Sequence, residues 1–332
     1  MKKKLSLFLV LVLLVANLTA CGNKSVEPEN TSDFSVVTTI FPEYDWTRNI
    51  IGDTDADLTM LINSGVDLHS FQPSADDIIK ISECDVFIYV GGESDEWVED
   101  ALKEAVNKDM IVVNLMDALG DKAKEEEAVE GMQAEDEHEH EGEEAEEHED
   151  EEGPEYDEHV WLSVKNAAIL CTAIEEALAK ANPDNAEAYA ANLEAYIAQL
   201  NDLDAKYQEA VDVAKVKTLL FGDRFPFRYL VDDYGLEYYA AFLGCSAESE
   251  ASFETIAFLA GKVDELGLKT VMTLEGTDHS IADTVVQTSK KQSAEIKSMD
   301  SMQSITAEDV DGGASYLAIM EKNLDVLKEA LK

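Results

Sequence analysis

Apolar positions recur along this chain with two different periods. In the first half, short β-branched or apolar runs at Ser35–Phe41, Asp57–Ile62, Val86–Val90 and Ile111–Leu115 are bounded by turn residues and read as strands. Between them, helical spacing predicts helices over Tyr44–Ile51, Ser74–Ser82 and Trp97–Ala105. Ser163 is placed to cap a further helix running towards Ala181. The second half repeats the alternation. Its strands are expected at Thr218–Gly222, Glu237–Phe242, Thr270–Leu274 and Glu295–Met299, with helices near Phe227–Tyr234, Ser252–Leu266 and Ile281–Ser289. A last helix, from Ala314 to Leu331, sets Tyr316, Leu317, Met320, Leu324, Leu327 and Leu331 on one face. Strands alternating with helices imply βαβ units, an α/β fold and mainly parallel sheets.

One segment belongs to neither half. Pro183 opens a run in which Tyr189, Leu193, Tyr196, Leu200, Leu203, Tyr207 and Val211 recur every three or four residues. About 30 residues of helix reach roughly 45 Å at 1.5 Å per residue, more than one lobe's core requires. A coiled coil would place this face against a partner helix, but Tyr is an unusual seam residue and no second segment of this kind exists. A rigid spine joining two (β/α) lobes is the favoured reading: an N-terminal lobe over 34–182, the spine helix over 183–215 and a C-terminal lobe over 216–332.

Charge narrows the partners. The 332 residues carry 71 Asp+Glu against 25 Lys+Arg, a formal net charge of −46. Nucleic acid is excluded, because phosphate binding needs clustered Lys and Arg, and anionic lipid surfaces are disfavoured for the same reason. An apolar content of 45% argues against a wholly disordered chain. The acidity is concentrated: Glu125 to Glu158 holds 20 Asp/Glu and no Lys or Arg, with His138, His140 and His148 among them. Without apolar periodicity, the stretch 121–158 reads as a disordered loop of the N-terminal lobe, either a solvated linker or a weak metal-collecting tract.

The amino terminus says where the chain works. Lys2-Lys3-Lys4 precedes an apolar run from Leu5 to Ala16, too short to span a bilayer but suited to a secretory signal. Leu18-Thr19-Ala20-Cys21 resembles the lipobox of bacterial lipoproteins. The resemblance implies removal of 1–20, lipidation of Cys21 and a tether over 21–33, holding the protein outside the cytoplasm on the bacterial cell membrane; an ordinary signal peptide is the other reading. Cys84, Cys171 and Cys245 lack paired CxxC spacing, and no essential disulfide is expected.

Two histidines sit in distinctive surroundings. His69 lies in Gly65-Val66-Asp67-Leu68-His69-Ser70-Phe71-Gln72-Pro73-Ser74, just after a predicted strand, where parallel α/β sheets build ligand sites. His159 lies in Asp157-Glu158-His159-Val160-Trp161-Leu162-Ser163, where the acidic stretch rejoins the fold. Singly, either fits a satisfied structural role. Together, and followed by Met299-Asp300-Ser301-Met302 and by Gly312-Gly313-Ala314-Ser315-Tyr316 with Met320, Asn323 and Leu324, they resemble the motifs of the zinc/manganese substrate-binding lipoproteins of ABC importers (cluster A-I). The acidic His-rich stretch before the second motif points to their zinc-uptake branch.

That resemblance covers nearly the whole mature chain and implies two lobes tied by one long helix, with a metal in the cleft between them. It implies His69 and His159 as imidazole ligands and Asp300 as a carboxylate ligand. The family's third ligand does not carry over, because Arg224 in Phe221-Gly222-Asp223-Arg224-Phe225-Pro226-Phe227-Arg228-Tyr229 stands on its position. A guanidinium has no lone pair to give a cation. Asp223, one place away, and His279 are weak candidates, Asp223 being the better explained by a salt bridge to Arg224 or Arg228. Glu275, matching an acidic residue after a second-lobe strand, is the preferred fourth contact, direct or through a neighbour.

Imidazole plus carboxylate suits Zn²⁺, with Mn²⁺ the alternative as oxygen ligands increase. No HExxH, GxSxG or Gly-rich phosphate loop is present, so no enzyme is expected. The resemblance implies a monomeric receptor that hands its ion to an ABC permease. The alternatives are a surface adhesin or metal buffer of the same fold, or a divergent receptor for another small ligand marked by Arg224.

Overall fold

A computed structural model describes residues 32–133, 155–246 and 250–332, and among these eight strands form two four-stranded parallel sheets. The first holds β1 (Ser35–Thr38), β2 (Asp57–Met60), β3 (Val86–Tyr89) and β4 (Ile111–Asn114) in the order β2-β1-β3-β4. The second holds β5 (Thr218–Phe225), β6 (Glu237–Leu243), β7 (Thr270–Leu274) and β8 (Glu295–Met299) in the same order, β6-β5-β7-β8. In each sheet the direction of strand addition reverses beside its first strand, which opens a crevice beyond the strands' carboxyl ends. Among the described residues no helix is long and apolar enough to cross a membrane.

The helices of the N-terminal lobe are α1 (Phe41–Ile51), α2 (Ala75–Glu83), α3 (Trp97–Lys103), α4 (Leu115–Leu119) and α5 (Val164–Ala181). Ser163 caps α5 as expected, its hydroxyl accepting the Asn166 N–H at 2.9 Å. The spine is α6 (Ala186–Asp212), entered through a short 3₁₀ turn at Pro183–Asn185, where proline's fixed φ and missing N–H suit a helix start. The C-terminal lobe adds α7 (Arg228–Tyr234), α8 (Phe253–Leu266), α9 (Ser280–Thr288), α10 (Ala307–Asp311) and α11 (Tyr316–Ala330). The five-residue α4 and α10 were not expected, since so short a helix shows no period.

The spine's predicted apolar face is its buried face, all seven residues from Tyr189 to Val211 included. It packs on α1 and α5 in one lobe and on α7 and α11 in the other. Asn192 Nδ2 donates to Ile50 O at 3.0 Å near its start, and Tyr207 OH donates to Met320 O at 2.7 Å near its end. One apolar core therefore runs from the first sheet through the spine to the inner face of the second. A smaller cluster, including Leu220, Phe242, Leu259, Val271 and Val285, fills the far side of the second sheet. Truncating a fully buried spine residue such as Leu203 to Ala is expected to cost about 2–5 kcal/mol.

Two expectations are corrected. β5 runs on to Phe225 with a register shift between Phe221 and Arg224, so Asp223 and Arg224 lie on the strand rather than in the loop after it. The acidic stretch is also held at both ends: Glu126 N–H donates to Glu155 O and Asp157 N–H to Lys124 O, each at 2.9 Å, and Gln133 N–H donates to Ala241 O at 2.9 Å. Asp157 and Glu158 are buried, because their carboxylates serve an imidazole and a backbone N–H described below. His138, His140, His148 and Cys21 lie outside the described residues.

Candidate metal centre

Each residue at the cleft follows the carboxyl end of a strand or the rim of the acidic stretch. After β2, a 3₁₀ turn at Leu68–Ser70 is fixed from below by fully buried Leu68 and capped by Asp67, whose Oδ1 accepts the His69 N–H at 3.1 Å. His159 opens a second 3₁₀ turn, Val160–Leu162, buried throughout. Trp161 anchors that turn to the opposite lobe: its Nε1–H donates to Ser301 O at 2.8 Å, and Tyr316 OH donates to Trp161 O at 2.7 Å. The turn after β6 approaches from the far side, where a Cβ on Gly244 would stand 2.9 Å from His159 Cε1. Only glycine allows that approach.

The two imidazoles present Nε2 to one point, 3.3 Å apart. A zinc ion with Zn–N bonds of about 2.05 Å and tetrahedral angles separates its nitrogen ligands by about 3.3 Å. The Gln303 amide nitrogen stands at that point, donating to His69 Nε2 at 3.0 Å and to His159 Nε2 at 3.1 Å. Both Nε2 atoms are therefore acceptors and each ring carries its proton on Nδ1. His69 Nδ1–H donates to Ser94 Oγ at 2.6 Å, and His159 Nδ1–H to Asp157 Oδ1 at 3.0 Å. Outer partners of this kind fix ring orientation and tautomer in metal sites. Burial, then the neighbouring His159 and, more weakly, Arg224, push the His69 imidazolium down to about 3 against the pull of Asp67, so the ring is a neutral donor at ordinary pH.

The outer layer is acidic and buried. Glu158 Oε1 accepts the Ser94 N–H at 2.9 Å, a contact that Gly92 permits because a Cβ there would strike the Glu158 carboxylate. Burial raises Glu158. Asp95 is pushed up to about 7, chiefly by burial and also by Glu158, against the Gly91 N–H it accepts.

The predicted carboxylates accept backbone N–H groups here. Among the described residues, the ligand atoms of His69, His159 and Cys245 form a group within 4.8 Å of one another, which neither Asp300, Glu275, Asp223 nor His279 joins. Asp300 Oδ1 accepts the Met302 N–H at 2.8 Å, closing a turn in which Met302 has φ 62°. Glu275 accepts the Ser301 N–H at 2.8 Å and lies 2.6 Å from Ser301 Oγ, which is 3.1 Å from Gln303 Oε1. A single hydroxyl proton cannot serve both neighbours. Burial and then Asp300 push Glu275 up to about 7, and Ser301 links it to Gln303, whose amide reaches both imidazoles. Glu275 thus reaches the histidines through two neighbours rather than directly.

Asp223 is not paired to a guanidinium as expected. Its carboxylate accepts the N–H groups of Arg224 at 2.9 Å and Leu274 at 3.0 Å, joining β5 to β7. Arg224 instead crosses the cleft to Asp67 at 2.8 Å, and Arg228 pairs with Glu127 and Asp232. His279 takes a left-handed conformation before α9 with Nδ1 3.3 Å from Thr277 Oγ. Asp67, His69, Arg224, Cys245 and His279 are among the residues lining a cavity of about 530 Å³ between the lobes. Sequence reasoning missed Cys245, Gln303 and the outer partners Ser94, Asp157 and Glu158. Cys245 had a signal, its place just past a predicted strand, as for His69.

Comparison with known proteins agrees with this geometry. Residues 36–330 match the family model described as zinc-uptake complex component A, periplasmic. The high-affinity zinc uptake system protein ZnuA of Bacillus subtilis is 31% identical over 334 residues, covering all of this chain and 99% of that protein. The zinc-binding lipoprotein AdcA of Streptococcus pneumoniae is 33% identical over 327 residues, 98% of this chain, and the chain spans 61% of that relative's length. A crystal structure of the Zn(II)-bound ZnuA-like domain of S. pneumoniae AdcA superposes with a TM-score of 0.68 at 28% identity, covering 90% of this chain and 98% of that domain. With two lobes, one spine and a converging imidazole pair in the cleft, this chain belongs to the family of zinc-uptake complex component A proteins.

Proposed function

We propose that this protein captures Zn²⁺ outside the cytoplasm and hands it to an ABC permease, with His69 and His159 as the paired imidazole ligands. One observation carries the reading: two buried Nε2 lone pairs 3.3 Å apart, with both Nδ1–H groups committed to outer partners. The ion takes the place of the Gln303 amide nitrogen, which turns aside. The His69 imidazole, held neutral, accepts a dication without first shedding a proton. The shared core limits opening to a small tilt of the lobes, so release on docking needs only a local shift of the turns carrying His69 and Gln303. The ion is cargo, and no turnover is involved.

The family's description as a component of an uptake complex supports the permease partner. Cys21 is the proposed lipid anchor, supported by its lipobox setting and by the word lipoprotein in the name of the S. pneumoniae relative. Zinc uptake by cells deleted for this protein tests the reading. The unaltered chain should restore uptake only when the permease is present, and His69→Ala should not restore it. Restoration by His69→Ala would contradict the assignment.

A further inference from the structure

We propose that the Cys245 sulfur is the third protein ligand to the captured zinc, supplied by the C-terminal lobe in place of the residue that Arg224 displaced. The proposal rests on the zinc-capture reading. Three observations support it. Cys245 Sγ lies within 4.8 Å of a ring nitrogen of each of the two histidines, in the one such group among the described residues. It follows β6 and lines the same cavity as His69, so it closes the imidazole pair from the opposite wall. Arg224, with no lone pair to give, is held away on Asp67 at 2.8 Å, while Asp223, Glu275 and Asp300 are engaged by backbone N–H groups.

The distances are within reach of a bonded site. Zinc bound at about 2.05 Å to nitrogen and about 2.3 Å to sulfur separates those atoms by about 3.6 Å, a spacing that lies inside the 4.8 Å limit of the group. The adjoining Gly244 is what lets this turn approach the His159 ring. On binding, the S–H bond breaks as the Zn–S bond forms, and the proton leaves to the Glu126 carboxylate that the thiol already faces. A thiolate with two imidazoles favours zinc over manganese, whose preferred ligands are oxygens.

The test uses the full chain with Co²⁺ as an optical probe and Zn²⁺ affinity by chelator competition. Sulfur bound to cobalt gives an intense near-ultraviolet charge-transfer band. The 34 residues from Glu125 to Glu158 contain no cysteine, Cys84 and Cys171 are buried elsewhere, and Cys21 is replaced by Ser in every protein compared, so the band reports Cys245. The expected result is one bound cobalt with the band, its loss in Cys245→Ser together with a fall in zinc affinity of about 100-fold or more, and recovery of binding without the band in Cys245→Asp. Zinc held equally well by Cys245→Ser but lost in His69→Ala would overturn the role of Cys245 and leave the imidazole reading standing. No stoichiometric zinc in the unaltered chain would overturn both.

Discussion

The two lobes share a strand order and differ in what they bring to the cleft. The N-terminal lobe contributes two imidazoles on short 3₁₀ turns, backed by Ser94 and by buried Asp157 and Glu158. The C-terminal lobe contributes an amide, a carboxyl held near neutrality and a thiol, on strand ends and on a turn strained at Met302. The first lobe is continuous in its core with the spine, whereas the far side of the second has a separate, smaller core. Equal topology thus supports unequal tasks: one wall fixes ligand orientation and the other adjusts to the ion.

If so, removing a fixed donor should cost most. His69→Ala or His159→Ala is expected to lower zinc affinity about 100-fold or more, measured by competition with a chelator. Trp161→Phe tests the link between walls: it leaves Ser301 O without its buried donor, and should lower unfolding stability by about 1–3 kcal/mol in urea titrations. Gln303→Ala removes the amide that competes with the ion for both lone pairs, so zinc should bind up to about tenfold more tightly. A weaker zinc complex in that variant would instead make the Gln303 carbonyl a ligand.

Acid–base behaviour divides the N-terminal wall itself, more gently. Asp95, held up to about 7, binds more protons folded than unfolded between roughly pH 4 and 7, so its contribution to stability is full below about pH 4 and is lost as pH rises through 7. His69, pushed down to about 3, acts in the opposite sense: its contribution is present above about pH 6.5 and is lost as pH falls. Asp95→Asn should therefore raise the Tm at pH 8 by about 2–4 °C and change it little near pH 4, as followed by circular dichroism. The smallest effect is expected at Arg224–Asp67, a partly exposed pair across the cleft: Arg224→Ala should cost under about 1 kcal/mol of stability.

Much of the scaffold was legible in the sequence because its signals are periodic. The spine's seven apolar positions and the eight short strands appear where spacing put them, and His69 and His159 meet although 90 positions separate them. The site was less legible. Asp300 and Glu275 are acidic residues past strand ends, and nothing in a linear sequence says that their lone pairs go to the N–H groups of Met302 and Ser301. Gln303 carries no charge and no motif, so its place between the imidazoles follows only from the turn after β8. Arg224 looked like a lost ligand, and its Asp67 partner lies 157 positions away. Asp157 and Glu158 were hidden by composition, indistinguishable from the acidic run they terminate.

The most direct measurement is zinc stoichiometry in a chain whose residues 134–154 are replaced by a short Gly/Ser linker, beside His69→Ala in the same background. This exchange removes His138, His140 and His148 and keeps Asp157 and Glu158, which orient the imidazoles. One tightly held zinc per chain, absent from the His69→Ala protein, is the predicted result. Loss of stoichiometric zinc on replacing the segment, or equal zinc in both proteins, would contradict capture by the imidazole pair.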